Sequence, residues 1–196
     1  GDVGSGKTIV SVLAAAIAVS NDVQVAVMAP TEILAHQHFE SFKKHAETAH
    51  MTCAILVGGT PAKERQAILE GLKEGQINII IGTQALIQKD VGFKSLGLAI
   101  VDEQHRFGVL QRGDLTAKGL NPHLLAMTAT PIPRTLAITY HGDMDLSIID
   151  EMPKNRLPVV TKVVDEPRLS KVYQFMKDEV AAGRQAMVVY PLVEET

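Results

Sequence analysis

The chain has 196 residues, 46% of them apolar, enough for one full α/β domain with a sizeable core and part of a second. Nineteen Lys and Arg stand against 22 Asp and Glu, a net charge of −3, which argues against coating nucleic acid by bulk charge but leaves local phosphate contacts open. Cys53 is the single cysteine, so no internal disulfide forms and a reducing cytosol suits the chain.

In chain order, a glycine-rich stretch, Gly1 to Gly6, comes first and leads into the apolar run Ile9 to Val19. That run is well short of the roughly 20 residues that span a bilayer, and it follows a glycine-lysine motif rather than a basic leader. The expectation is a soluble, cytoplasmic protein with no membrane partner. Candidate strands follow at Val23–Ala29, Thr52–Val57, Ile77–Ile81, Leu96–Val101, His123–Thr128, Pro158–Val164 and Gln185–Val193. Most are continuously apolar rather than alternating, as expected for strands covered on both faces. Between them, Ala35, Phe39, Phe42 and Ala46 recur at helical spacing, as do Leu169, Val172, Met176 and Val180. Pro61 and Pro167 sit where helices should begin, and Gly71, Gly75 and Gly183 where they should stop.

This alternation predicts an α/β fold, a mostly parallel sheet with helices on both faces. There is no internal repeat and no low-complexity segment. The stretch Glu151 to Pro158 is polar and bracketed by prolines, so it reads as a linker. We expect a first lobe at 1–152, a linker at 153–157 and the opening of a second lobe at 158–196.

Gly1-Asp2-Val3-Gly4-Ser5-Gly6-Lys7-Thr8 fits the Walker A pattern in full. Its glycines let successive backbone N–H groups converge on a phosphate at the positive end of a helix. In that pattern Lys7 reaches the β- and γ-phosphates of ATP and the Thr8 hydroxyl coordinates Mg²⁺. A flexible glycine turn is the bland alternative, and the apolar helix that follows argues against it. The second constellation is an apolar strand, Leu98 to Val101, ending in Asp102 and Glu103. This is the Walker B arrangement, in which Asp102 holds the Mg²⁺ shell and Glu103 orients and deprotonates the attacking water. Alone, such an acidic pair is as often merely solvated; together with a Walker A motif the functional reading wins. The third, Met127-Thr128-Ala129-Thr130-Pro131, closes the next apolar strand. Thr128 and Thr130 could sense the γ-phosphate or contact DNA, or they could simply cap a helix starting near Pro133.

A Walker A loop, an Asp-Glu-x-His box and a Thr-Ala-Thr box in this order resemble the superfamily 2 helicases and translocases. Further motifs of that superfamily have matches: Ala29-Pro30-Thr31-Glu32 resembles motif Ia, Gly58-Gly59 the glycine turn before a DNA-contacting helix, and Gly82-Thr83-Gln84 motif Ib. The run Asp102 to Val109, continuing to Gln111-Arg112, together with Thr130 to Thr135, is similar to the fork-remodelling RecG family and its relatives, the Mfd transcription-repair coupling factors. Gln104 favours RecG, because Mfd carries a second Glu there, and the segments Ser147–Glu151 and Gln185–Leu192 also resemble RecG.

The resemblance implies a RecA-like P-loop NTPase lobe that couples ATP hydrolysis, with Mg²⁺, to movement on branched or forked double-stranded DNA. It implies a coupling role for Gln104, His105, Thr128, Thr130, Arg106 and Arg112. It also implies contacts to the DNA backbone from Thr31, Gly59, Thr83 and Gln84. Thr31 could equally be a helix cap, and Phe107 with solvated arginines could be a simple apolar anchor. Aromatic residues make up 4% of the chain, which favours backbone tracking over base stacking. Relatives in this family carry a strand before the phosphate loop, a wedge domain that grips branched DNA, and second-lobe motifs that include arginine fingers. None of these is in the sequence, so the isolated chain is expected to turn over poorly or to act as a binding module. Its phosphate loop is expected to be poorly ordered or in a non-native shape, and the sheet to carry a gap that stays open, closes up or is filled by another segment. His36, His38, His45 and His50 lack partners at metal-ligand spacing and read as surface residues, while Cys53 reads as core filler.

Overall fold

The computed structural model describes residues 1–103, 109–129, 144–151 and 159–190; the side chains of Val109, Leu110 and Arg112 are also outside the description. The chain forms two compact units, Gly1–Lys154 and Asn155–Thr196.

In the first unit the order is α1 (Lys7–Val19), β1 (Gln24–Met28), α2 (Glu32–Thr48), β2 (Cys53–Leu56), α3 (Ala62–Glu74), β3 (Ile79–Gly82), a 3-10 turn (Gln84–Ile87), β4 (Leu96–Asp102), α4 (Val109–Thr116) and β5 (His123–Met127). The five strands pair in the order β2-β3-β1-β4-β5, and each pairing is parallel. The α/β fold with a parallel sheet is therefore as the sequence predicts. No interruption appears among the described strands, and β5 is an edge.

Continuous apolar runs arise because both sheet faces are covered, and every residue of β1 and β3 is buried. Side-chain alternation sorts the residues into two cores. Ala26, Met28, Ile80, Ala99 and Val101 pack with Ile68, Leu69 and Leu72 of α3. Val25, Val27, Ile79, Ile81, Leu98 and Ile100 pack on the opposite face with Val12 and Ala15 of α1 and Ala35 and Phe42 of α2. Gly82 closes β3 because a Cβ there would lie 2.1 Å from the carbonyl oxygen of Leu56, its partner on β2.

Helix limits follow local chemistry. Pro61 occupies the N-cap of α3, and Gly75, in the left-handed region at φ 79°, ends it. Gly71, expected as a stop, lies inside α3 instead, buried against Ile77, where a Cβ would come within 3.0 Å of the Ile77 side chain. Two strands expected in the second unit are absent from its described part. Residues 159–164 and 185–190 form no strand, although α5 (Leu169–Ala181) forms behind a 3-10 turn containing Pro167 and is followed by Gly183 at φ 83°. Strand propensity needs a partner to supply the ladder, and no described segment pairs with either run. Leu169, Val172, Met176 and Val180 share a face of α5 as predicted, yet no residue of α5 is buried. Among the described residues, no helix is long and apolar enough to cross a membrane.

Candidate functional site

Because all five strands run parallel, their carboxyl ends share one edge of the sheet, and the loops leaving that edge are brought side by side. Thr31 follows β1, Gly59 follows β2, Thr83 and Gln84 follow β3, Glu103 follows β4 and Thr128 follows β5. The amino group of Gly1 donates a 3.3 Å hydrogen bond to the Thr128 carbonyl, so the glycine-rich loop joins the same edge. The three nucleotide-type motifs, far apart in sequence, thus converge.

Local hydrogen bonds close the loop Gly1 to Gly6. Ser5 N–H donates to the Asp2 carbonyl (3.2 Å), and Val3 N–H donates to Asp2 Oδ1 (2.7 Å). Gly4 (φ 82°) and Gly6 (φ 97°) occupy the left-handed region, which a residue with a Cβ rarely adopts. Gly6 is also the N-cap of α1, whose positive end therefore faces the loop. Lys7 Nζ turns back to donate to the carbonyls of Gly1 (2.6 Å) and Asp2 (2.9 Å). Ile149 closes over the start of the loop: a Cβ on Gly1 would lie 3.0 Å from Ile149 Cβ and 2.6 Å from Ser5 Oγ. Ser5 Oγ is buried and has no hydrogen-bond partner among the described residues. A buried hydroxyl without a partner is costly, so this donor is set to gain from an acceptor entering the loop.

At the end of β4, Asp102 is 9% exposed and both its oxygens are engaged. Oδ1 accepts from the N–H of Glu103 (3.0 Å), and Oδ2 lies 2.7 Å from Nε2 of His38. Glu103 itself has φ 51°, a left-handed backbone at a residue with a long side chain. Such a conformation is held against a cost on the order of 1–2 kcal/mol and is found preferentially at functional positions. His38 corrects the expectation of a surface residue: it is 7% exposed, whereas His36, His45 and His50 are exposed. It sits between Ala35 and Phe42 on the buried stripe of α2, and its ring meets Phe42 edge-on at 6.4 Å. The buried residues of α2 are Ala35, His38, Phe42 and Ala46, spaced three, four and four, so the helical period that places Phe42 inside also places His38 there, a signal present in the sequence.

The remaining candidates are less closely tied. Thr31 Oγ1 accepts from the Leu34 N–H at 3.3 Å, so the hydroxyl caps α2. Nothing lies within 4 Å of a Cβ built on Gly59, and the turn beside it is fastened by Val57 N–H donating to Thr60 Oγ1 (3.0 Å). Thr83 is half-buried and Gln84 exposed at the start of the 3-10 turn. Thr8 lies in the first turn of α1, half-buried, with its carbonyl accepting from the Ser11 hydroxyl at 2.7 Å. Gln104, His105, Arg106, Phe107 and Thr130 lie outside the described residues, as does the side chain of Arg112 on α4.

Known proteins resemble this chain in sequence and fold. The sequence pattern of the DEAD/DEAH box helicase family matches residues 1–138. Over the whole chain, the ATP-dependent DNA helicase RecG of Streptococcus pneumoniae serotype 4 is 52% identical across 196 residues, 29% of its own length. The RecG helicase of Aquifex aeolicus is 49% identical across 198 residues, 25% of its length. A solved structure of RecG bound to a three-way DNA junction superposes with a TM-score of 0.81 at 47% identity, covering 98% of this chain and 26% of that one. The chain thus spans about a quarter of the length of the curated relatives it matches. On its sequence pattern and its parallel α/β fold, the chain belongs to the DEAD/DEAH box helicase family.

Proposed function

We propose that the chain is the ATP-binding first lobe of a DNA helicase or translocase that uses ATP hydrolysis to remodel branched DNA and stalled replication forks. The convergence of the Walker A loop, Asp102-Glu103 and Thr128 on one sheet edge carries this reading. The likeness to RecG helicases over the whole chain, one of them seen on a three-way junction, supports the branched substrate. The two compact units, dividing beside Lys154, support a first lobe at 1–152, a linker at 153–157 and the start of a second lobe at 158–196.

In this reading the roles divide by chemistry. The loop amides and the Ser5 hydroxyl receive phosphate oxygens at the positive end of α1, and Lys7 exchanges its two carbonyl partners for the β- and γ-phosphates. The residues present also fit a Mg²⁺ ion, because the Asp102 carboxylate is oriented by two N–H donors while each oxygen keeps a second lone pair. Thr8 and Asp102 would hold that ion, which when bound neutralises charge on the phosphates. Glu103 takes the proton of the attacking water. Thr31, Gly59, Thr83 and Gln84 border the DNA backbone through small polar groups and open N–H positions, contacts that position the strand without reading sequence. Gln104, His105, Arg106, Arg112, Thr128 and Thr130 couple the nucleotide to those contacts.

ATPase assays on the intact protein test the proposal. Forked DNA should stimulate hydrolysis well above linear duplex of the same length. Equal rates with and without any DNA would refute the motor reading.

A further inference from the structure

The hydrogen bond between His38 and Asp102 joins a helix to a carboxylate 64 residues away, and the nucleotide motifs do not include it. His38 lies seven residues after the N-cap Thr31, in the middle of the buried face of α2. A polar ring at that place needs a partner, since burial strips it of water and an unsatisfied imidazole is costly. A carboxylate oxygen is the acceptor of this contact when the His38 ring is in its Nε2–H tautomer, which places the donor against Oδ2. Phe42, almost fully buried, meets the imidazole edge-on and fixes the plane of the ring. The Glu103 N–H holds the other oxygen, so the carboxylate is gripped at both ends. An apolar residue would satisfy core packing equally well but would leave Oδ2 of the buried Asp102 without this partner.

We infer that His38 is a positioning residue for Asp102, turning its carboxylate so that the remaining lone pairs face the divalent cation of the nucleotide site. The inference rests on the proposed reading of Asp102 as a metal-holding carboxylate. Hydrogen-bonding partners behind a metal-ligating carboxylate commonly govern metal affinity by about 10- to 100-fold. His38 also ties this carboxylate to the helix that Thr31 caps, two turns from that cap.

The test uses the intact protein with Mn²⁺ as the probe ion, its binding followed by electron paramagnetic resonance in the presence of a non-hydrolysable ATP analogue. His38→Leu fills the core without a donor and should weaken Mn²⁺ binding about 10-fold or more. Affinity for the analogue in EDTA should stay within about twofold, because no phosphate contact is lost. His38→Gln, which returns an N–H near the position of Nε2, should recover most of the Mn²⁺ affinity. Circular dichroism melting confirms that each variant is folded, and His38→Asn serves if His38→Leu is not. Its shorter side chain cannot reach Oδ2, and the same loss is expected. Asp102→Asn and Lys7→Ala are run alongside. If neither alters metal or nucleotide binding, the reading of the nucleotide site itself is wrong. If both do, but folded His38→Leu binds Mn²⁺ like the parent or His38→Gln is equally impaired, the inference about His38 is overturned.

Discussion

Lys7 Nζ stands 2.6 Å from the carbonyl oxygen of Gly1 and 2.9 Å from that of Asp2, so the phosphate loop is folded around its own lysine. Two of the three ammonium N–H donors are thus spent on the loop, and nucleotide competes with those two carbonyls for all but the third. Even so, phosphate charge outweighs a carbonyl dipole as a partner for an ammonium. Lys7→Ala should weaken binding of a fluorescent ATP analogue by about 10- to 100-fold, the equivalent of one lost charge-assisted bond. Binding unchanged by the substitution would show that the lysine stays with the loop.

Glu103 occupies the left-handed backbone region at φ 51°. Glycine is at ease there and a β-branched residue is not. Glu103→Gly should therefore leave the melting temperature unchanged or slightly raised, because relief of strain offsets the extra freedom of the unfolded chain. Glu103→Val should cost about 1–2 kcal/mol by chemical denaturation. A Val variant as stable as the Gly variant would show that the backbone relaxes without penalty.

Gln24 is a buried polar residue inside β1. Its Nε2 donates to the carbonyls of Leu72 (2.9 Å) and Ile77 (2.8 Å), and its Oε1 accepts from the Ser95 N–H (3.0 Å). It ties β1 to the end of α3 and to the entry of β4, at the sheet edge opposite the site. Gln24→Leu should lower stability by about 2–4 kcal/mol, since the side-chain hydrogen bonds to the Ile77 carbonyl and the Ser95 N–H are lost. Gln76→Ala, at an exposed position, should change it by less than about 0.5 kcal/mol. Urea titrations of the two variants make the comparison.

Burial pushes the Cys53 thiol up to about 12, only partly offset by the nearby Lys43. A raised folded value means the neutral thiol is favoured by the fold. That contribution is present below the unfolded thiol value, near pH 8.5, and is lost as pH rises toward about 12. Labelling by a thiolate-selective reagent at pH 8 should be slow in the native protein and fast in urea. Fast native labelling would contradict the raised value of this half-buried thiol.

Why the sheet was legible while parts of the site were not comes down to where the signal resides. The strands β1, β3 and β4 are written as continuous apolar runs, and covering both faces of a sheet demands just that. Walker A and Walker B residues announce themselves because a phosphate and a cation restrict the usable residue types tightly. His38 gave no such sign: its role comes from a partner 64 positions away, and only the stripe of α2 hints at its burial. The left-handed Glu103 was equally silent, since backbone strain leaves no mark on residue choice when the side chain is needed. The runs at 159–164 and 185–190 look like strands by composition, but strands exist only in pairs.

Hydrolysis by Glu103→Gln in the intact protein, measured with forked DNA at saturating ATP, tests the central claim most directly. The substitution keeps size and one accepting oxygen while removing the carboxylate that accepts the proton of water. Nucleotide binding should be retained within about twofold, while kcat falls by at least about 100-fold, the usual worth of a general base. DNA-stimulated turnover at the parental rate, with Glu103 replaced, would contradict the account of this sheet edge as an ATP-hydrolysing motor site.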